Sequence, residues 1–381
     1  MKDLHICLNM AGDSGWMGGV LYTQNLVRAI ASLPEEEKAH IKLTIAAAPS
    51  NLNLVEPVRD HLDQIYIKER LYLKVGKELA ERFHFLPRKL LNPLKVDFLY
   101  PTSAMARTPY LWGGWIPDFQ HHYLPELFSE EEINARNNRH QRMAEVAPVI
   151  ILSSKMAQDD FNRLYPEAAS RSRLMNFVSY PEPEWFKFNP QLIQEKYGLP
   201  ERFFLVSNQF WKHKNHKVVI EALGILKQQK ITPTVVCTGK TTEGSQYFNQ
   251  LITRIEELGI GNQVRILGLI PRLDQIQLMR RCLAVIQPSL FEGWSTVIED
   301  GRALGKPMLV SDFPVHLEQN PPHTHFFERS NPEQLASLIF QGFSTLQPGS
   351  DLEKENQDRH KNSEAIVAYG RRFMEIVNDV V

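Results

Sequence analysis

Residues Gln287 to Asp312 read QPSLFEGWSTVIEDGRALGKPMLVSD. An apolar run, Leu283–Gln287, ends in a turn at Pro288 and Ser289. Glu292, Gly293 and Trp294 follow. Ser295 or Thr296 then supplies a side-chain oxygen of the type that caps a helix start, and Val297–Leu304 carries a helical pattern. Gly305, Lys306 and Pro307 stop that helix, and a new apolar run begins at Met308. Strand, loop, helix and strand in this order make a βαβ unit, which requires a parallel sheet with helices on its faces.

The same alternation extends in both directions. Strands are expected at Leu4–Met10, Leu43–Ala47, Asp97–Tyr100, Trp115–Pro117 and Val149–Leu152, then at Phe203–Val206, Thr234–Cys237, Val264–Leu267, Leu283–Gln287 and Met308–Val310. Helical stretches fall between them, among them Val20–Ser32, Lys217–Gln229, Phe248–Leu258 and Gln334–Phe340. The pattern breaks at YPEPEWFKFNP, residues 180–190, where three prolines oppose both helix and central strand. Two doubly wound α/β domains of similar size are therefore expected, dividing at residues 182/183. Ligands of such sheets bind outside the carboxyl ends of the strands, and the default site is the cleft between the domains.

Composition sets the outer bounds. The chain has 381 residues, 43% hydrophobic and 23% charged, with formal net charge -1. It is ordinary globular material, with no global charge to attract nucleic acid. Its three cysteines, Cys7, Cys237 and Cys282, lie in or beside apolar runs at no metal or redox spacing, so a reducing, cytoplasmic compartment is expected. Leu4–Met10 reads as a first strand and not as a signal segment. Between Lys68 and Lys95 eight Lys or Arg stand against three Glu, interleaved with apolar residues. That segment reads first as a helix with a solvated face. Its second reading is peripheral contact with an anionic membrane, at the inner face, or with an acidic acceptor.

Several residue groups are suited to a phosphorylated ligand. The helix start at Ser295–Thr296 offers free amides and the positive end of a helix dipole, a term of about 0.3–1 kcal/mol for an anion. Gly293 lets the backbone approach closely. Glu292 and Asp300, beside such a site, would accept hydrogen bonds from sugar and ribose hydroxyls. The loop Ser207–Asn215 supplies Lys212, His213 and Lys214 after an apolar strand. Near the N-terminus, Gly12, Gly15, Gly18 and Gly19 lie between a strand and a helix, but their spacing lacks the close first pair of the dinucleotide fingerprint. Asp118, His121 and His122 follow another strand end, where either histidine can reach a sugar hydroxyl. Ser153, Ser154 and Asp159 read as a cap and a surface acid.

The Glu292–Pro307 segment resembles the retaining family 4 glycosyltransferases of the GT-B fold. Glu292-Gly293-Trp294 and Ala303-Leu304-Gly305-Lys306-Pro307 carry the likeness. The family's second glutamate stands eight positions after its first. Here that register falls on Asp300, while Glu299 is one position early; Asp300 is favoured because it keeps the spacing to Gly305 and Pro307. Val264–Ile270 resembles the family's strand and base-contacting loop, which implies a role for Ile270. Lys214 matches a family lysine, whereas Gln209 stands where an arginine would be, with Lys212 or His213 as substitutes. Pro117 stands where the family often has a histidine before Asp118.

The resemblance implies a GT-B architecture: two Rossmann-like doubly wound parallel-sheet domains facing a central cleft. The N-terminal, acceptor-side domain would span 1–182 plus 364–381, with the last helix returning to it, and the nucleotide-sugar domain 183–363. It implies a retaining transfer of a hexosyl-type sugar from a nucleoside-diphosphate sugar to a carbohydrate or lipid-linked acceptor. No cofactor and no metal are expected, consistent with the lack of any Asp-x-Asp pair. The implied donor contacts are Gly18, Gly19, Lys212, Lys214, Ile270, Gly293, Trp294, Ser295, Thr296 and Asp300. Glu292, His121 and Asp118 would stand at the reacting sugar. Competing readings are a nucleotide-sugar hydrolase or epimerase on the same fold, and a non-catalytic nucleotide-sugar binder. A dinucleotide oxidoreductase is disfavoured by the missing fingerprint.

Overall fold

A computed structural model describes residues 3–13, 15–68, 95–102, 110–241 and 245–381. The chain divides into two compact units. One comprises Met1–Tyr180 and Ser363–Val381, the other Pro181–Asn362. The division falls inside the proline-rich stretch that interrupts the alternation in sequence. The basic segment 68–95 lies, apart from its two end residues, outside the described residues.

The first unit is built on β1 (Leu4–Asn9), β2 (Ile41–Ala47), β3 (Gln64–Ile67), β4 (Phe98–Tyr100), β5 (Leu111–Ile116), β6 (Val149–Leu152) and β7 (Ser172–Leu174). They pair in the order β3-β2-β1-β4-β5-β6-β7, and every pairing is parallel. The second unit carries β8 (Phe203–Ser207), β9 (Thr234–Thr238), β10 (Val264–Gly268), β11 (Val285–Gln287), β12 (Met308–Ser311) and β13 (Thr324–Phe327). These run β10-β9-β8-β11-β12-β13, again all parallel. Both are doubly wound sheets whose order reverses once, between β1 and β4 and between β8 and β11.

Alternation along a strand explains the two-sided burial of the second sheet. Phe204 and Val206 point to one cluster with Val235 and Ile286, covered by the helices His216–Gln228 and Pro332–Thr345. Phe203 and Leu205 point to the other with Val236 and Val285, covered by the helix Arg272–Arg281 and by Ile298 of Thr296–Ala303. With both faces covered, a strand reads as a continuous apolar run, which is why the central strands stand out in sequence.

Three strands lack that signature. β3, β7 and β13 each sit at a sheet edge and are short and partly polar, as edges usually are. The helix Glu130–Val146 also escapes the apolar pattern; it buries only His140, Met143 and Ala144 and is set instead by a capping box between Ser129 and Glu132. The last helix begins at Leu352, well before residue 364, and runs to Asn378; its residues from Ser363 onward belong to the first unit. There Gly370 packs on the backbone of Ala29, where a Cβ would come within 2.5 Å of the carbonyl oxygen.

Candidate functional site

The reversal between β8 and β11 opens a gap at their carboxyl ends, because the crossovers from the two strands leave toward opposite sides. The loops after these strands carry Asn208 to Asn215 and Pro288 to Ser295, and hydrogen bonds tie them together. Asn208 Nδ2 donates to Gln287 Oε1 at 2.9 Å. The Leu290 amide donates to the His213 carbonyl at 2.7 Å. Asn215, held in the left-handed region at φ 54°, donates its side-chain amide to the carbonyls of Pro288 and Arg329. Asparagine tolerates that backbone conformation better than most residues.

At the centre is an ion pair. Lys214 Nζ donates to Glu292 Oε1 at 2.6 Å, with the two side chains 14% and 10% exposed. The same Oε1 accepts from Gln287 Nε2 and Ser289 Oγ, each at 2.8 Å. Among the described residues nothing donates to Oε2. Burial by itself would raise the Glu292 pKa, but the charge of Lys214, with His316 and His213, outweighs it and holds the carboxyl below its ordinary value. Glu292 is thus an anchored carboxylate with one oxygen available to a ligand hydroxyl.

Beneath it lies His316, fully buried at the start of the helix Pro314–Gln319. Ser311 Oγ donates to the Ser289 carbonyl at 2.6 Å. With that proton committed, His316 Nδ1–H is the donor to Ser311, whose Oγ and carbonyl lie at 3.0 and 3.1 Å. Burial pushes the His316 pKa down to about 4, so the ring is neutral at physiological pH.

The helix Thr296–Ala303 starts beside this loop. Ser295 is its N-cap, accepting from the Ile298 amide. Gln319 holds Ser295 at both backbone atoms, at 3.0 and 3.1 Å. The amides of Thr296 and Val297 remain as first-turn donors without an intrahelical acceptor. Gly293 and Trp294 are partly exposed between the anchored glutamate and this helix start.

The two acids in the first turns of that helix part company. Glu299 is buried and accepts from Gln319 Nε2 at 2.8 Å while pairing with Arg302; burial raises its pKa. Asp300 is also buried, and its Oδ1 takes the Arg272 guanidinium at 2.7 Å. Arg272 in turn lies over the Trp185 ring, 5.3 Å from its centroid. Ile270, two residues before Arg272, is half-buried, whereas Leu269 is exposed. Arg272, Gln287, Ser289 and His316 were not singled out in sequence. Their partners Glu292 and Asp300 do stand out in sequence, whereas a polar side chain in an otherwise apolar strand or loop carries no pattern of its own. Lys212 is exposed at the turn that contains Lys214.

In the first unit, Gly18 and Gly19 begin the helix Met17–Ala31, whose N-cap, Trp16, gives no side-chain cap. The Trp16 indole lies over them; a Cβ on Gly19 would fall 2.8 Å from its Cζ3. Asp118 Oδ1 accepts from the Gln120 amide at 2.9 Å, shaping the turn after β5. The histidine pair divides. His121 is 2% exposed, with Nε2 bonded to Asn137 at 2.9 Å and its ring among His122, His140 and Phe128, so of the two candidate histidines His122 is the exposed one. The reason is local: the short helix Gln120–Tyr123 turns His121 inward against Glu130–Val146. Ser154 caps the helix Lys155–Leu164 by accepting from Ala157, and Asp159 pairs with Lys155 at the surface.

Residues 190–343 match the family model for glycosyl transferases group 1. The match covers much of the second unit, including every residue of the Lys214–Glu292 centre. No curated protein matches the chain in sequence. Solved structures match over the whole chain. Anabaena HepE, crystallised in complex with UDP and glucose, is similar at 17% identity and TM-score 0.67 over 99% of this chain and 100% of that one. A glycosyltransferase from Rickettsia africae is similar at 16% identity and TM-score 0.69, over 100% and 99%. WaaG, a glycosyltransferase involved in lipopolysaccharide biosynthesis, is similar at 12% identity and TM-score 0.60, over 97% and 95%. The fold is that of the GT-B glycosyltransferases, and the family match supports a glycosyltransferase.

No helix among the described residues is long and apolar enough to cross a membrane.

Proposed function

We propose that the protein transfers a hexosyl-type sugar from a nucleoside-diphosphate sugar to an acceptor hydroxyl, with retention of anomeric configuration and without a metal. The observation that carries this reading is the Lys214–Glu292 pair at the β8/β11 switch point, next to the open amides of Thr296 and Val297. A diphosphate needs positive partners and a sugar needs acceptors and donors for its hydroxyls; this loop cluster supplies both within one hydrogen-bonded unit.

In this reading the diphosphate lies on the Thr296 and Val297 amides and on Lys214, with Lys212 nearby. Lysine neutralises it as a point charge, so the bidentate geometry lost with Gln209 is not required. Glu292 Oε2 accepts a hydroxyl of the donor sugar. Asp300, buried behind Arg272, holds that guanidinium toward the ribose, and the backbone at Ile270 faces the base. The acceptor oxygen attacks the anomeric carbon as the bond to the leaving phosphate oxygen breaks, and that phosphate takes the acceptor proton. The family 4 likeness supports retention, and the same likeness assigns the first unit to the acceptor. By the same likeness Gly18 and Gly19 border the donor, and Asp118 stands at the transferred sugar with the exposed His122 in place of the buried His121. Three free, buried cysteines support a reducing, cytoplasmic location, and peripheral contact of segment 68–95 with a membrane surface belongs to the same proposal.

The neighbours crystallised with UDP make that nucleotide the first to test. Calorimetric titration in EDTA with UDP, GDP and ADP should give saturable binding for one of them, abolished by Lys214→Ala. Anomeric proton NMR of the product formed with an acceptor should show the donor's configuration. Binding without turnover would favour the nucleotide-sugar binder, and sugar release without an acceptor the hydrolase. No binding to any nucleotide would remove the reading.

A further inference from the structure

We propose that Trp16 forms the floor of a saccharide subsite in the first unit, taking the apolar face of a pyranose ring of the acceptor. The inference rests on the glycosyltransferase reading and names the acceptor's chemical class.

Three aromatic rings make the platform. Tyr22, 1% exposed, stacks on Trp115 with centroids 4.0 Å apart and planes 9° apart. Trp115 stacks on Trp16 at 5.8 Å and 14°. The inner end is fixed, since the Tyr22 hydroxyl is bonded to the Tyr100 hydroxyl in the core. The middle ring is fixed as well, with Trp115 Nε1 donating to Ser153 Oγ at 2.9 Å. The outer ring is held from below by the glycine pair, since a Cβ at Gly19 would collide with its six-membered ring and one at Gly18 would lie 3.2 Å from its Nε1. From the chain side, Asp13 Oδ1 accepts from the Trp16 amide at 3.1 Å. Yet Trp16 remains 42% exposed. The ring is immobilised on several sides while a large apolar surface is left in water.

Its place in the fold says what kind of surface this is. Trp16 leaves the loop after β1, and Trp115 sits one residue from the end of β5. Both lie at the carboxyl edge of a parallel sheet, where such sheets take ligands. Other exposed aromatics, such as Phe188 and Phe340, belong to no such stack. A pyranose offers C–H groups with partial positive charge to the negative face of an indole, and its hydroxyls point outward to a polar rim. Polar groups for those hydroxyls come from the same strand ends: Asp118 and the exposed His122 follow β5, the strand that carries Trp115, and Asn51 is tied to the loop after β1 by Nδ2 donating to the Gly12 carbonyl at 3.2 Å. A rigid aromatic loses little conformational entropy when its ligand arrives.

The test uses the full chain labelled with 5-fluorotryptophan, with the Trp16 fluorine resonance assigned by Trp16→Phe. Methyl α- and β-pyranosides of glucose, galactose and mannose are titrated by 19F NMR, and short-chain phosphatidylcholine is titrated separately. UDP, GDP and ADP are added to parallel samples to read the donor site independently. A saturable shift of the Trp16 resonance with at least one pyranoside is expected, and the variants are read from the neighbouring Trp115 resonance, assigned by Trp115→Phe, with affinity weakened about tenfold or more in Trp16→Ala and largely kept in Trp16→Tyr. The proposal is overturned if no pyranoside moves the resonance while a nucleotide binds elsewhere. It is overturned equally if only the phospholipid moves it, which would make the platform a membrane contact, or if Trp16→Ala, shown folded by circular dichroism, binds pyranosides as well as the parent. Failure of every nucleotide to bind, with the pyranoside shift intact, would instead count against the donor site alone.

Discussion

Replacing Lys214 by Met removes the cation from a carboxylate that is 10% exposed and already charged against the pull of burial. Breaking a buried ion pair from one side costs about 3–5 kcal/mol. Glu292 keeps the donors Gln287 and Ser289, so a value of about 3 kcal/mol, at the lower end, is expected at neutral pH. The cost should depend on pH in a definite direction. In the parent, the folded pKa of Glu292 lies below its ordinary value, so its contribution is present above the unfolded pKa and lost as pH falls through the folded one. Without Lys214, burial becomes the dominant influence and the folded pKa moves above the unfolded one, so the carboxylate opposes folding at neutral pH and ceases to do so on protonation. The difference between parent and Lys214→Met should therefore shrink as pH falls toward and below the ordinary glutamate value of 4.5. Removing Lys214 also relieves His213, His216 and His316, whose pKa values its charge lowers, and this acts in the same direction. Two units need not unfold together, so the assay is hydrogen exchange of peptides around 285–300 across a urea series at several pH values. Adding Glu292→Gln to Lys214→Met should recover much of the neutral-pH loss. A pH-independent difference, or no recovery in the double variant, would refute the account of the pair.

Other consequences follow from the same geometry. Asp300→Asn should raise the nucleotide Kd about tenfold, about 1.4 kcal/mol, whereas Glu299→Gln, whose partners Gln319 and Arg302 are structural, should leave it unchanged; titration calorimetry that found the reverse would exchange the two assignments. Burial holds His121, His213 and His316 at about 4 and His140 and His216 at about 3. For a histidine with a depressed folded pKa, stability is complete above the unfolded value of about 6.5 and falls as pH drops below it. Each such group is worth up to about 1.4 kcal/mol per pH unit in that window, so urea midpoints that stay flat from pH 7 to 5 would contradict the burial. Gly19→Ala should cost about 1–3 kcal/mol by overpacking and displace the Trp16 ring, seen as a loss of near-ultraviolet dichroism from the Tyr22–Trp115–Trp16 stack; an unchanged spectrum would mean the ring does not rest on that glycine.

What could be read from sequence was set by how many sides of a residue are buried. Val149–Leu152 is enclosed on both faces and was found with its observed limits, while Thr324–Phe327, at an edge and with His325 exposed, was not. The site divides in the same manner. Glu292 and Lys214 were legible because a charged residue in a loop after an apolar run is conspicuous. Their pairing was not, because seventy-eight residues separate them and only the adjacency of β8 and β11, reached through β9 and β10 on one side, brings the loops together. In sequence Lys214 and Glu292 carry separate duties, one toward phosphate and one toward sugar. The structure joins them through one carboxylate oxygen, so neither can be changed without altering the other's charge environment. His121 shows the opposite failure: a loop histidine looks available in sequence, and only the inward turn of Gln120–Tyr123 reveals that the exposed member of the pair is its neighbour. Glycine is the most ambiguous signal of all. Gly18 and Gly19 read in sequence as making room for a phosphate or a donor, yet the atoms nearest a Cβ on either belong to Trp16. Room for a ligand and room for a side chain leave the same mark on a sequence, and the two are separated only by finding what fills the space.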